Sequence, residues 1–274
     1  MSEKSRTAGI EKKRPETESE ILAEIINSLP DIKGKLGFYY ANLVNGTKVS
    51  YQAELPLHAA SVIKIPVMIS CFLAFARGEL SPGERHILKE EEKLPSCGAL
   101  NRMEAGLSLS VMDLINLMII LSDNTATNIL IRRLSMEQIN YDLEALGYSA
   151  CRMNRLLFDA EASARGLENT VGAAEIADML GKMYRGELIS REASQNMLEI
   201  LQNQRLNGKI PAGFEEKTLI AHKTGEDSGI SHDVGIVGEQ HPFIICFLGN
   251  ELEHVPAWNR FMAEKSWELY QALK

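Results

Sequence analysis

Within the stretch HAASVIKIPVM, Ser61 and Lys64 stand three residues apart at the mouth of an apolar run. If Ser61 opens a helix, a residue three further on lies on the same face one turn along, so the Lys64 amine can sit beside the serine hydroxyl. That pairing is a nucleophile with its base attached. A lysine kept neutral by burial and neighbouring positive charge can accept the hydroxyl proton as the oxygen attacks a carbonyl carbon. An isolated pair at this spacing also fits a helix-capping serine and a lysine that reaches water. Two other stretches bear on the choice. LSDNTATN supplies Ser122, Asp123 and Asn124 at the end of an apolar helical run, and AHKTGEDSG supplies Lys223, Thr224 and Gly225 on a run of strand character. Separately these read as a capping turn and as a strand meeting a turn; together, in this order, they make a set.

The elements that must position the set are legible from periodicity. TESEILAEIINSLP carries Ile21, Leu22, Ile25, Ile26 and Leu29 at helical spacing. KLGFYYANLVNGTKVSYQ follows as two β-rich runs around Asn45-Gly46, a dipeptide suited to a tight type I′ hairpin. From Ala59 to about Arg205 the apolar positions fall three and four apart, and strands return in KTLIAHKT, DVGIVGE and PFIICFLG before a closing amphipathic helix. The layout is a flexible leader over 1–16, an α/β sheet domain from 17–55 plus 206–274, and an all-helical domain over 56–205 that carries the serine motifs. A crevice between sheet and helices is the natural ligand site.

Bulk composition narrows the function. The chain has 274 residues, 45% hydrophobic and 24% charged, an ordinary globular balance. A net charge of −8 argues against nucleic acid, whose partners carry basic surfaces. Cys71, Cys97, Cys151 and Cys246 are widely spaced with no histidine at ligand spacing, so reduced cysteines and no metal or cofactor are expected. The apolar run VMISCFLAFA is too short for a bilayer, which needs about 20 residues, so no membrane partner is expected. The polar start has no apolar export region, which leads to the expectation of a cytoplasmic monomer as the chain stands, or a periplasmic or extracellular one if a leader was removed.

The trio S-x-x-K, S-D-N and K-T-G resembles the serine-reactive superfamily of penicillin-binding proteins and class A β-lactamases, and SDNTATN and HKTGEDSGISHDVGIV look closest to the class A branch. The resemblance runs from about Leu36 to the C-terminus. It implies an α+β fold in which a five-stranded antiparallel sheet, flanked by the terminal helices, packs on a helical insert. It also implies roles. Ser61 would be acylated, Lys64 would be its base, and Ser122 would pass the proton to the leaving nitrogen. Asn124 would hold a substrate amide, while the backbone N–H groups of Ser61 and Glu226, the residue after Gly225, would face the oxyanion. Lys223 and the Thr224 hydroxyl would bind a substrate carboxylate. His232 stands where many class A enzymes carry an arginine that helps grip this carboxylate, and its alternative is a strand residue facing solvent.

The resemblance thins at the step that frees the acyl group. Class A enzymes use a glutamate in an E-x-x-L-N loop to activate water, and the corresponding region here reads NRLLFDAEASARGLENTVGAAEIADML, without that motif. The interval from Ser122 to Lys223 (223 − 122 = 101) is a few residues short for the class, so a trimmed loop is expected. Glu161 and Asp159 are the candidate carboxylates, each with the alternative of pairing with Arg155 or Arg165. The family's disulfide pattern is absent. The expected substrate is a small molecule, a β-lactam or an acyl-D-alanyl-like peptide or ester. The leading expectation is β-lactam hydrolysis through an acyl-enzyme; the others are a related esterase or D-alanyl peptidase and a covalent sensor that stays acylated.

Overall fold

The computed structural model describes residues 16–215 and 217–274. The expected leader over 1–16 therefore lies, apart from Glu16, outside the described residues. The first helix, α1 (Glu18–Ser28), starts where Thr17 accepts from the Glu20 backbone and Glu20 reaches back, a capping box that fixes the entry of the chain. The strands β1 (Lys35–Asn42) and β2 (Lys48–Tyr51) follow, then β3 (Leu57–His58) and α2 (Lys64–Ala76). Beyond them come β4 (Arg85–Ile87), β5 (Ser108–Ser110), α3 (Val111–Ile120), α4 (Asn124–Leu134), α5 (Met136–Ala145), α6 (Ala160–Ala164) and β6 (Thr170–Val171). The chain closes with α7 (Ala173–Arg185), α8 (Arg191–Gln202), β7 (Ile220–Asp227), β8 (Ile230–Val237), β9 (Phe243–Asn250) and α9 (Val255–Leu273).

Five strands form one antiparallel sheet in the order β2-β1-β9-β8-β7. Its two faces bury different sets. Phe243, Ile245 and Phe247 of β9 pack with Phe38, Tyr40, Trp258 and Met262 under α1 and α9, whereas Ile244, Cys246 and Leu248 join the core that continues into the helices. Side chains alternate across a strand, so a strand covered on both faces reads as the unbroken apolar run FIICFL. The strand β7 is one of the two sheet edges, and it packs against the turn that carries Ser61.

The hairpin is wider than its Asn-Gly dipeptide suggests. Residues 43–47 separate the strands, and of that pair only Gly46, at φ 78°, is left-handed, whereas a two-residue type I′ turn needs both. The Asn42 side-chain oxygen accepts from the Val44 and Asn45 backbone N–H groups, and this holds the larger loop. The helical stretch also contains two small ladders, β3 with β6 and β4 with β5, too short to leave a periodic signal. Among the described residues no helix is long and apolar enough to cross a membrane.

Candidate active site

Ser61 sits in a short 3-10 turn, Ala60–Ile63, that runs directly into α2. Ala60 before it is left-handed at φ 41°, an uncommon state for alanine that costs on the order of 1–3 kcal/mol and is held here by the packed residues around it. Val62, Ile63 and Ile65 are fully buried, which anchors the turn while Ser61 borders the cleft. One turn on, the buried Lys64 Nζ lies 3.0 Å from Ser61 Oγ, 3.0 Å from Ser122 Oγ, 2.7 Å from the Ser122 carbonyl and 2.9 Å from Asn124 Oδ1. An ammonium has three protons for these four oxygens. A neutral amine satisfies the set differently, donating to the carbonyl and to Asn124 and accepting from a hydroxyl. Burial, and then the charge of Lys223, push the Lys64 amine well below the usual lysine range.

Ser122 lies between α3 and α4 in a left-handed conformation at φ 54°. Asp123 next to it caps α4, accepting from Ala126, and its other oxygen accepts from the Ala99 and Leu100 backbones. Gly98 permits this junction, because a Cβ there would stand 2.2 Å from the Asp123 carboxylate. The motif aspartate is therefore the clamp that orients its two neighbours.

The third motif comes from β7. Lys223 Nζ donates to Ser122 Oγ at 3.1 Å and to the Thr224 carbonyl at 2.8 Å, so the Ser122 hydroxyl bridges the two lysines. Burial pushes Lys223 down to about 7, with Asp233 opposing and Lys209 adding to the shift. Gly225 is needed for contact. A Cβ on it would lie 3.2 Å from Val62, 3.3 Å from the Ala59 carbonyl and 3.0 Å from the His232 ring, so a side chain would push the strand off the serine turn. A cleft of about 660 Å³ opens over this junction, lined by Ser61, Cys97, Asn124, Leu157, Asp159 and Glu226 among others. A serine at the cleft with buried amines behind it and a strand edge beside it can support acyl transfer through a serine ester.

The sequence and the fold match known proteins. Residues 19–273 match the β-lactamase enzyme family. The chain belongs to that family. Among its relatives, β-lactamase L2 of Stenotrophomonas maltophilia is 23% identical over 72% of this chain, which spans 65% of that relative's length. β-Lactamase FAR-1 of Nocardia farcinica is 23% identical over 88% of the chain and 79% of its own. A β-lactamase of Sphaerobacter thermophilus superposes with a TM-score of 0.83 at 25% identity, covering 92% of this chain and 96% of that one. PBP-A superposes with a TM-score of 0.83 at 25% identity over 95% and 98%.

Set in the β-lactamase family fold, the remaining candidates separate. Glu161 points to solvent, its side chain 86% exposed, and pairs with Arg165 one helical turn away at 3.0 Å. It is not among the residues lining the cleft. Asp159 does line the cleft, but its carboxylate caps α6 through the Ala162 N–H. Leu157, whose apolar side chain carries no chemical signal in the sequence, is the loop residue tied to the helix behind Ser122. Its N–H donates to Asn128 Oδ1 and its carbonyl accepts from Asn128 Nδ2, both at 2.9 Å. Arg155 is held by Glu168 at 2.7 Å, and Asn169 grips the Arg155 backbone from both sides.

His232 differs from its expected place on the carboxylate grip. Its ring is buried, with Nδ1 accepting from the Gly249 N–H and Nε2 donating to the His58 carbonyl, and burial pushes it down to about 4. It is a neutral pin between β8, β9 and the segment leading to Ser61. The extra cation near this edge is Lys209, which the sequence did not flag because it lies in an ordinary loop. Its buried Nζ donates to the Gly225 and His232 carbonyls at 3.0 Å.

Proposed function

We propose that the protein is a serine acyl-transfer enzyme that opens β-lactams, or related acyl-D-alanyl amides and esters, by forming an acyl-enzyme on Ser61. The observation that carries this reading is the placement of the buried Lys64 Nζ 3.0 Å from the Oγ of Ser61, a residue that lines the cleft, with Ser122 Oγ bridging Lys64 and Lys223 behind it. Ser61 Oγ attacks the carbonyl carbon as Lys64 takes its proton. The backbone N–H groups of Ser61 and Glu226 meet the oxyanion, as in oxyanion holes generally. Collapse breaks the carbon–nitrogen bond, and the proton passes through Ser122 to the departing nitrogen. Lys223 and Thr224 hold a carboxylate, and the Asn124 amide positions the acyl side chain. The enzyme is mixed with a chromogenic cephalosporin while colour and intact mass are followed together. Sustained colour means turnover, and one equivalent of colour with a lasting mass gain means slow release; the absence of both, with no mass gain from an acyl-D-alanyl ester either, sinks the reading.

A second observation favours slow release. The Asn128-anchored loop presents Leu157 to the cleft rather than a carboxylate, while Asp159 is engaged as a cap and Glu161 faces solvent. Hydrolysis of the ester needs a base within hydrogen-bond reach of a water. Leu157→Glu is therefore expected to shorten the acyl-enzyme lifetime by about 100-fold, the lower end of general-base effects. The lifetime is read by mass spectrometry after removal of excess β-lactam. An unchanged lifetime in Leu157→Glu, with a lengthened lifetime in Asp159→Asn, would move the base to Asp159.

The two lysines also set a pH profile. Acylation needs neutral Lys64, so its rate falls as pH drops through that lowered value; carboxylate binding needs protonated Lys223, so it weakens as pH rises through about 7. The kcat/KM for acylation by a penicillin is expected to be bell-shaped, with an alkaline limb near neutrality. The same measurement with a carboxylate-free ester is expected to lose that limb. An alkaline limb retained with the ester would place Lys223 in the chemistry instead of in binding.

A further inference from the structure

The cation beside the strand edge is already occupied by a carboxylate of this chain. Glu226 follows Lys223-Thr224-Gly225 on β7, and its Oε1 lies 3.0 Å from Lys209 Nζ. The two partners are unlike in exposure. The Lys209 side chain is 3% exposed, whereas that of Glu226 is 68% exposed and lines the cleft. The amine is fixed from below by the Gly225 and His232 carbonyls, so it cannot turn away, while the carboxylate can swing into water. Both act on Lys223, Lys209 lowering it and Glu226 raising it, so all three share one electrostatic neighbourhood. His232 adds no positive charge there, being neutral with both ring nitrogens engaged. Asp227, next on the strand, also lines the cleft and is exposed.

We infer that the Glu226 carboxylate competes with a substrate carboxylate for Lys209, weakening the Lys223–Thr224 grip and favouring acyl donors that carry no carboxylate beside the leaving group relative to those that do. An incoming carboxylate must enter next to Thr224, where it meets the Glu226 charge and must displace it from Lys209 to gain that cation. Like charges at such range oppose binding, and the effect is strongest where water is excluded. A neutral ester or thioester leaving group meets no such opposition and leaves the Lys209–Glu226 pair intact. This inference rests on the acyl-transfer reading above and specifies its substrate class.

The test uses two thioesters with the same acyl group, one whose leaving group carries a carboxylate and one whose leaving group is its methyl ester. The readouts are thiol release and the mass of acylated Ser61. In Glu226→Gln the ratio of kcat/KM, carboxylate over ester, is expected to rise about tenfold, the loss of one charged contact. In Lys209→Met, which strands Glu226 without its cation, the ratio is expected to fall below that of the unaltered protein. A ratio unchanged in Glu226→Gln overturns the inference and leaves the pair as a structural tie. Failure of both thioesters while a chromogenic cephalosporin still acylates Ser61 overturns this inference alone, and failure of all three overturns the acyl-transfer reading with it.

Discussion

Ser61→Ala is expected to gain no acyl mass from any β-lactam or activated ester, with the loss complete within detection. The reason is positional. Ser61 Oγ borders the cleft and has an amine 3.0 Å away to receive its proton. The neighbouring hydroxyl of Ser122 is 2% exposed and accepts from both Lys64 and Lys223, so it is poised to relay a proton and poorly placed to attack. The exposed thiol of Cys97 also lines the cleft and could react with an acylating reagent, so the comparison is made in parallel with Cys97→Ser. Intact mass and peptide mapping report the site, and a melting curve confirms folding. An adduct that persists in the Ser61→Ala, Cys97→Ser double variant would place the nucleophile elsewhere.

Lys64→Met is expected to slow acylation by about 10²–10⁴-fold, the usual contribution of a positioned general base. Methionine fills much of the lysine's volume without an amine. It relieves the cost of burying that amine, but leaves the Ser122 carbonyl and Asn124 Oδ1 without this donor, a loss of about 1–3 kcal/mol for each group left unsatisfied. The melting temperature is therefore recorded beside the single-turnover acylation rate. A folded variant that acylates at near the original rate would require another base. Ser122→Ala separates base from relay: it keeps Lys64 against Ser61 and removes the bridge to Lys223, so it is expected to slow departure of a poor leaving nitrogen more than that of an activated ester.

Local patterns in the chain already held the main features. Capped amphipathic runs specify α1, α3 and α9, and the doubly covered strands show as apolar stretches, because both signals are carried by residues within a few positions of one another. Ser61 and Lys64 pair across one helical turn, so that half of the site was legible as spacing. The three motifs in order were legible as a resemblance, and that resemblance brought with it the fold and the expectation of a water-activating carboxylate. The carboxylate expectation failed to single out its residue because a carboxylate's use depends on where its side chain lies. Glu161 satisfies Arg165 on the outer side of α6, and Asp159 satisfies the helix start, as any aspartate at an N-cap can.

Sequence alone thus determined the pairing of Ser61 with Lys64, the helix and strand periods and the order of the motifs, since each is a relation between near neighbours or between fixed residue types. Only the tertiary structure decided the rest. The Ser122 bridge between Lys64 and Lys223 joins groups 58 and 101 residues apart, and Asn128 holds Leu157 at the cleft across 29 positions. Burial turned the two lysines toward neutrality and made His232 a neutral pin, and a loop lysine, Lys209, acquired a role by coming to rest under the β7 edge beside Glu226. Burial and long-range contact have no period along the chain, so they become visible only when the sheet, the helices and the serine turn are packed together.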